Sequence, residues 1–208
     1  MPRYGLIDAA YATRIRETAG QADGPIYMLS LTRLRACTDT SPRGLPAVGR
    51  DTVTDYAPIP LLSSVGAALC LAASVVASSP GWDRVGVVGY PSRRAFLELA
   101  YRLEFRTWHA RKERAMEHTT VLGTLPTGGL PVADSQRVLL EVWNGPEPAP
   151  LIAGPVARFD VEGTVIGDGR QWSGVRYTPI ELGTALPLHP ARFGYQALLL
   201  EPLLERWR

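Results

Sequence analysis

Apolar positions along this chain fall into short runs with two different periods, and the alternation between them orders the elements. Asp8 to Ala19 has helical spacing, with Asp8 suited to the N-cap. Gln21 to Pro25 reads as a turn and Ile26 to Leu31 as an apolar strand. Thr32 to Arg50, rich in Gly, Pro, Ser, Thr and Arg, reads as a loop. Asp51 or Thr52 caps a helix running to about Ser64, which Pro58 and Pro60 shorten or kink. Leu69 to Ala77 and Val85 to Tyr90 predict a hairpin. Ser92 then opens the clearest helix, in which Ala95, Phe96, Leu99, Ala100, Leu103, Thr107 and Ala110 recur on one face. Thr119 to Leu125 is a strand and Thr127 to Leu130 a linker. Beyond it the pattern is β-rich. Val138 to Trp143, Ala157 to Ile166, Val175 to Ile180 and Tyr195 to Glu201 are strands, joined by the Pro-rich stretch Pro146 to Pro155 and by Glu181 to Gly194, which has no helical period.

Part of this pattern occurs twice. Val75-Val76 and Val165-Ile166 are each followed by a Gly-, Ser-, Pro- or Asp-rich turn, a tryptophan (Trp82, Trp172) and a second apolar run, at an offset of 90 residues without a gap. Recurrence of a hairpin implies two versions of one unit. In the same comparison Gln196 to Pro202 sits where Thr120 to Pro126 sits in the first half. The first half then runs β-α-β-β-α-β, the ferredoxin-like order. The second keeps four strands and replaces both helices with Pro-rich connections.

Composition narrows the classes. The 22 basic and 20 acidic residues leave a net charge of +2, too even to imply nucleic acid or a membrane surface. All the basic residues but Lys112 are arginine, so a Schiff base could form only there. Cys37 and Cys70 have no metal-type or disulfide spacing, which points to a reducing, cytoplasmic setting. The opening Met-Pro-Arg-Tyr-Gly-Leu lacks the apolar run of a signal peptide. Ile59 to Ala77 is long and apolar enough to suggest a membrane span. Pro58, Pro60, Ser63, Ser64 and Gly66 argue instead for a helix end followed by a buried strand. No nucleotide loop, zinc-protease helix, Cys pair or nucleophile elbow is present, and three scattered histidines predict no metal site.

Gly24 to Leu31 after a short helix, Gly89-Tyr-Pro-Ser-Arg-Arg-Ala-Phe-Leu-Glu-Leu99, Glu104-Phe105 and His109 to Ala115 resemble the EthD-like branch of the dimeric α/β-barrel superfamily, which also holds antibiotic-biosynthesis monooxygenases. The resemblance covers roughly residues 20 to 125, and Ser30 stands where many of those proteins have asparagine. It implies an α+β fold of two ferredoxin-like units in tandem, a pseudo-dimer whose second unit lacks regular helices. Residues 1–126 would form the unit with the ligand cleft, between its sheet and helices, and residues 127–208 the degenerate half completing the barrel. The protein would be a monomeric pseudo-dimer or a homodimer.

The resemblance also implies an enzyme acting without a cofactor on a small apolar or aromatic, polyketide-like metabolite, by cyclisation, isomerisation or oxygenation. His109, on the main helix, is the candidate acid or base. Tyr27 and Tyr56 would position substrate oxygens, and Trp108, Arg111, Asp55 and Ser30 would line the site. A non-catalytic ligand-binding or interaction protein is the alternative, and a haem protein with His109 as axial ligand a third. His118, at the expected helix end, reads as a cation favoured by the helix dipole. The matched Trp82 and Trp172 read as packing.

Overall fold

The computed structural model describes residues 6–18, 23–35, 58–78, 81–131, 136–184, 186, 194–205 and 207. Nine strands, β1 (Leu6–Ile7), β2 (Ile26–Leu34), β3 (Ala68–Ser78), β4 (Arg84–Tyr90), β5 (Met116–Pro126), β6 (Arg137–Trp143), β7 (Ala157–Gly167), β8 (Gly174–Ile180) and β9 (Tyr195–Glu205), form one antiparallel sheet. Its order is β1-β7-β5-β2-β4-β3-β9-β6-β8, and β7 also pairs with β8. That last pairing closes eight strands into a barrel. Among the described residues four helices lie outside it: α1 (Ala9–Thr18), α2 (Ile59–Ser63), α3 (Arg93–Tyr101) and α4 (Leu103–Ala115).

This arrangement corrects the expected fold. The chain is not two tandem ferredoxin-like α/β units forming a dimeric α/β-barrel pseudo-dimer; it is a single closed eight-stranded antiparallel β-barrel, mostly sheet with few helices. The reason is edge pairing. β3 pairs β9 from Leu71↔Glu205 to Ser78↔Leu198, and β5 pairs β7 from Val121↔Ile166 to Pro126↔Phe159, so the strands on either side of residue 126 share one continuous sheet. The repeat survives as topology, because β5-β2-β4-β3 and β9-β6-β8-β7 are the same permutation of strands.

Alternation along each strand divides the core. Tyr27, Leu29 and Leu31 of β2 face the lumen with Val85, Val87, Leu122, Val138, Leu140, Val142, Phe159, Val175, Tyr177, Leu198 and Leu200. Ile26 and Met28 face outward and pack with Tyr11, Ile15, Leu62, Tyr90, Ala95 and Leu99 beneath the helices. The long periodic helix of the first half breaks at Arg102, which is extended at φ −67°, ψ 136°. Its guanidinium reaches Ser64 Oγ at 2.7 Å beyond α2 and pairs with Glu98. The buried stripe therefore stops at Leu99, and Leu103 is 73% exposed. The apolar segment after Pro58 forms α2 and β3, and no helix among the described residues is long and apolar enough to cross a membrane.

The outer face of β6 and β8 carries no helix among the described residues. Its cover is polar. Arg176 and Glu141, both 0% exposed, form a two-pronged pair at 2.8 Å on each prong. Arg176 Nη1 donates to Glu147 Oε1 and the Pro148 carbonyl of the Pro-rich connection, and Tyr195 Oη donates to Glu141 Oε1 at 2.7 Å. Trp143 lies over Arg176 and over Gly174, where a Cβ would overlap the indole.

The seam of the barrel is narrow. β7 pairs β8 only from Ala157↔Tyr177 to Asp160↔Gly174, and β1 takes the same edge at Ile166 and Gly167. Between them Tyr11 of α1 lies flat on the cross-strand pair Gly123 and Gly163, where a Cβ at either would overlap its ring. Tyr11 Oη donates to Glu162 Oε2, Arg14 Nη2 to the Glu162 carbonyl, and Arg93 Nε and Nη2 to the Glu162 carboxylate.

Two outcomes follow from these contacts. Gly163→Ala displaces Tyr11 and lowers the unfolding free energy by about 1–3 kcal/mol in denaturant titration, as overpacking does. Gly128→Ala, in open space, leaves it unchanged. Arg176→Met strands a buried carboxylate and costs about 3–5 kcal/mol, whereas adding Glu141→Leu recovers most of that loss.

Candidate functional site

The residues chosen from sequence do not converge. Tyr27 points into the lumen, where its ring meets Phe159 edge-on at 5.4 Å and Trp207 at 6.3 Å. His109 and Trp108 lie on α4 outside the barrel, half-buried, with the His109 ring 6.1 Å from Phe105. The sheet separates them from Tyr27. Ser30 is on the outer face of β2, between Gly86 and Val121 in register. Arg111 is on α4, with its side chain outside the described residues, as are Tyr56 and Asp55 entirely. The space between helices and sheet is packed with the apolar side chains beneath α1, α2 and α3.

Polar chemistry gathers instead at one mouth of the lumen. β5 begins directly where α4 ends, so His118 is in a strand and faces the lumen two residues before Thr120. Its ring lies 5.7 Å from that of Trp82, tilted by 31°. The indole Nε1 of Trp82 donates to Gln196 Oε1 at 2.9 Å, with Gln196 entering from β9 beside Val142. Trp172 closes the same end from the β7–β8 turn, and both tryptophans belong to the lumen cluster.

Local turns hold this mouth. Ser78 Oγ accepts from the Trp82 N–H at 3.0 Å. Asp83 N–H donates to the Thr32 carbonyl and Asp83 Oδ2 accepts from Leu34 N–H, tying the β3–β4 turn to β2. In the other turn Gly169 adopts φ +88°, Asp168 pairs with Arg170 at 2.6 Å, and the Arg170 guanidinium lies 5.2 Å above Trp172. Partial burial pushes the Asp168 carboxyl up, but the Arg170 hydrogen bonds and charge, aided by His118, outweigh it and hold the group below the usual carboxylate range.

Among the described residues, three polar atoms at this end are buried and have no hydrogen-bond partner: His118 Nε2, Thr120 Oγ1 and Gln196 Nε2. Thr120 and Gln196 are each only 1% exposed. Leaving a buried polar atom unpaired costs about 1–3 kcal/mol, so three in one place is a concentration of unmet hydrogen bonding. The signal that could have found the site was the repeat. Trp82 matches Trp172 and Thr120 matches Gln196, so duplication of the whole four-strand unit puts four of the five residues at one mouth. His118 has no counterpart, since Gly194 takes its place. Among the described residues no group of three or more His, Cys, Asp or Glu could hold a metal ion.

No protein-family model matches the chain, and no curated protein matches it. Among solved structures it is similar to RPA0582, a protein of unknown function from Rhodopseudomonas palustris, at 25% identity over 57% of this chain and 95% of that one, with a TM-score of 0.45. The methylated form of RPA0582 gives 24% identity over 64% and 100%, again with a TM-score of 0.45.

The opposite mouth is aromatic. Tyr27, Phe159, Tyr177 and Trp207 interlock there with centroid distances from 5.3 to 6.3 Å. Burial, followed by the nearby Cys70 thiol, pushes the Tyr177 phenol far above its ordinary value of 10.0. Burial and then Glu162 do the same to Tyr11, and burial and then the hydrogen bond to Glu141 to Tyr195. The stability these neutral phenols contribute is complete below pH 10 and is lost as pH rises toward their folded values. Alkaline titration followed by phenolate absorbance should therefore show these three ionising together with loss of the native circular dichroism. Stepwise ionisation in a folded protein would contradict the burial.

Proposed function

We propose that this chain binds a small, largely apolar or aromatic metabolite at the His118 mouth of the barrel and acts on it without a cofactor. The observation that carries this reading is the set of three buried, unpartnered polar atoms, His118 Nε2, Thr120 Oγ1 and Gln196 Nε2, framed by two indoles. Binding sites of this kind are mostly apolar with a few placed polar groups. An imidazole that takes a proton from one carbon and returns it to another conserves atoms and electrons, so isomerisation or intramolecular cyclisation needs no further reagent. Oxygenation would also need dioxygen. His118 is the acid–base group in this reading, and Trp82 and Trp172 supply the flat apolar walls.

A non-catalytic binding protein is the second reading, favoured by the close filling of the rest of the lumen with apolar side chains. The two differ in one observable. Turnover by His118 exchanges a carbon-bound hydrogen of the ligand with solvent deuterium, whereas binding alone does not.

Thermal-shift screening with flat aromatic compounds tests the site. A ligand of the native state raises the melting temperature by mass action. The shift should persist in His109→Ala and weaken in His118→Leu, with affinity falling about tenfold, the equivalent of one hydrogen bond to a buried group. No shift from any compound, or a shift abolished by His109→Ala and kept in His118→Leu, would remove the proposal. A structure showing only ordered water on the three polar atoms, with no ligand competing for it, would do the same.

A further inference from the structure

The polar end of the ligand is constrained by one side chain whose orientation is fixed. An indole N–H can only donate a hydrogen bond. Because Trp82 Nε1 donates to Gln196 at 2.9 Å, the amide must present its oxygen there; the reversed amide would set N–H against NH2. The amide oxygen is thereby committed. The NH2 is left buried and, among the described residues, without an acceptor. At this point the mouth offers hydrogens and no free lone pair. His118 Nε2 and Thr120 Oγ1 adapt, since either can donate or accept.

Charge narrows the class further. The arginines at this mouth are already engaged: Arg170 is held by Asp168 at 2.6 Å and lies over Trp172, and Arg33, the register partner of His118, is held by Glu117 at 3.2 Å. A carboxylate set against the Gln196 amide would exchange water for a neutral donor, a loss far larger than that of burying a neutral carbonyl. Resting on the reading of this mouth as a ligand site, we propose that its ligand is a flat aromatic compound bearing a neutral acceptor oxygen, an aromatic ketone or quinone carbonyl, received by the Gln196 amide. An amine or a free acid is the wrong partner. The residue that determines this specificity is Gln196, and Trp82 is the positioning residue that holds its amide in one orientation.

Three probes of similar size separate the claims: cumene, acetophenone and aniline. Cumene is close to acetophenone in size and lacks the acceptor. Calorimetric titration of the wild-type protein should show acetophenone binding about fivefold to tenfold more tightly than cumene, as one buried hydrogen bond predicts. Gln196→Glu keeps the acceptor facing Trp82 and replaces the NH2 by a carboxylate oxygen. It should abolish the acetophenone advantage and favour aniline, a reversal that simple loss of packing would not produce. Side-chain amide NMR of the wild-type protein gives the same answer without a variant: the Gln196 NH2 resonances should move with acetophenone and not with cumene. If cumene binds and acetophenone binds no better, with unmoved Gln196 resonances, the acceptor-oxygen inference is wrong and the mouth remains a ligand site. If none of the three binds, the site itself is wrong and the inference falls with it.

Discussion

The second edge of β7 has two partners and neither fills it. β8 takes Ala157 to Asp160, β1 takes Ile166 and Gly167, and a stretch around Glu162 lies between them. An open edge is a row of unmet backbone groups, and a barrel is stable because it removes such edges. Here closure is finished by side chains. Arg14 reaches the Glu162 carbonyl, while Tyr11 and Arg93 bind its carboxylate. Those contacts fix α1 and the start of α3 against the seam. Tyr11 comes close enough only because Gly123 and Gly163 face it from paired positions. Position of the helices, packing beneath them and integrity of the barrel thus depend on the same few residues.

The two halves cover their outer faces by different physics. Under α1, α2 and α3 the cover is apolar and contributes through burial. Over β6 and β8 it is an ion network with no solvent exposure at Arg176 or Glu141. Such a pair adds little net stability compared with well-packed apolar residues, but it is intolerant of losing one member. Its geometric demand is high, since Arg176 must meet Glu141, Glu147 and the Pro148 carbonyl together. That demand explains how a Pro-rich connection can lie in one place where a helix would otherwise be needed.

Much of this was legible in the chain, and the losses have physical causes. The strands were readable because a short apolar run such as Ile26 to Leu31 or Val138 to Trp143 is a local property. Their closure into one barrel was not, because β3–β9 and β5–β7 pairings join residues far apart in sequence and leave no periodic trace. The break at Arg102 was hidden for another reason. No Gly or Pro marks it, and the contact with Ser64 that accompanies it is tertiary. His118 was misplaced by the same kind of continuity: Ala115 ends a helix and Met116 begins a strand with no breaker between them. Read as a helix-end cation it had a sufficient explanation, and its inward direction followed only from strand geometry.

The matched tryptophans had argued for packing alone, and in the lumen they do pack. What distinguishes their surroundings is the break in the repeat. A duplicated four-strand unit would place equivalent residues symmetrically about the mouth, and Trp82 with Trp172, and Thr120 with Gln196, follow that rule. Symmetry of this kind can satisfy itself only if each half supplies what the other lacks. Gln196 satisfies Trp82 with its oxygen and leaves its NH2 over, while the shorter Thr120 leaves its own hydroxyl unmet. Gly194 stands where the other half has His118, and at φ +80° it serves the turn into β9. The imidazole therefore has no counterpart across the mouth to bond it. A repeat that had stayed symmetric would have been a plain end to a packed barrel; divergence at two positions leaves hydrogen-bonding groups of different chemistry at one end of the apolar lumen.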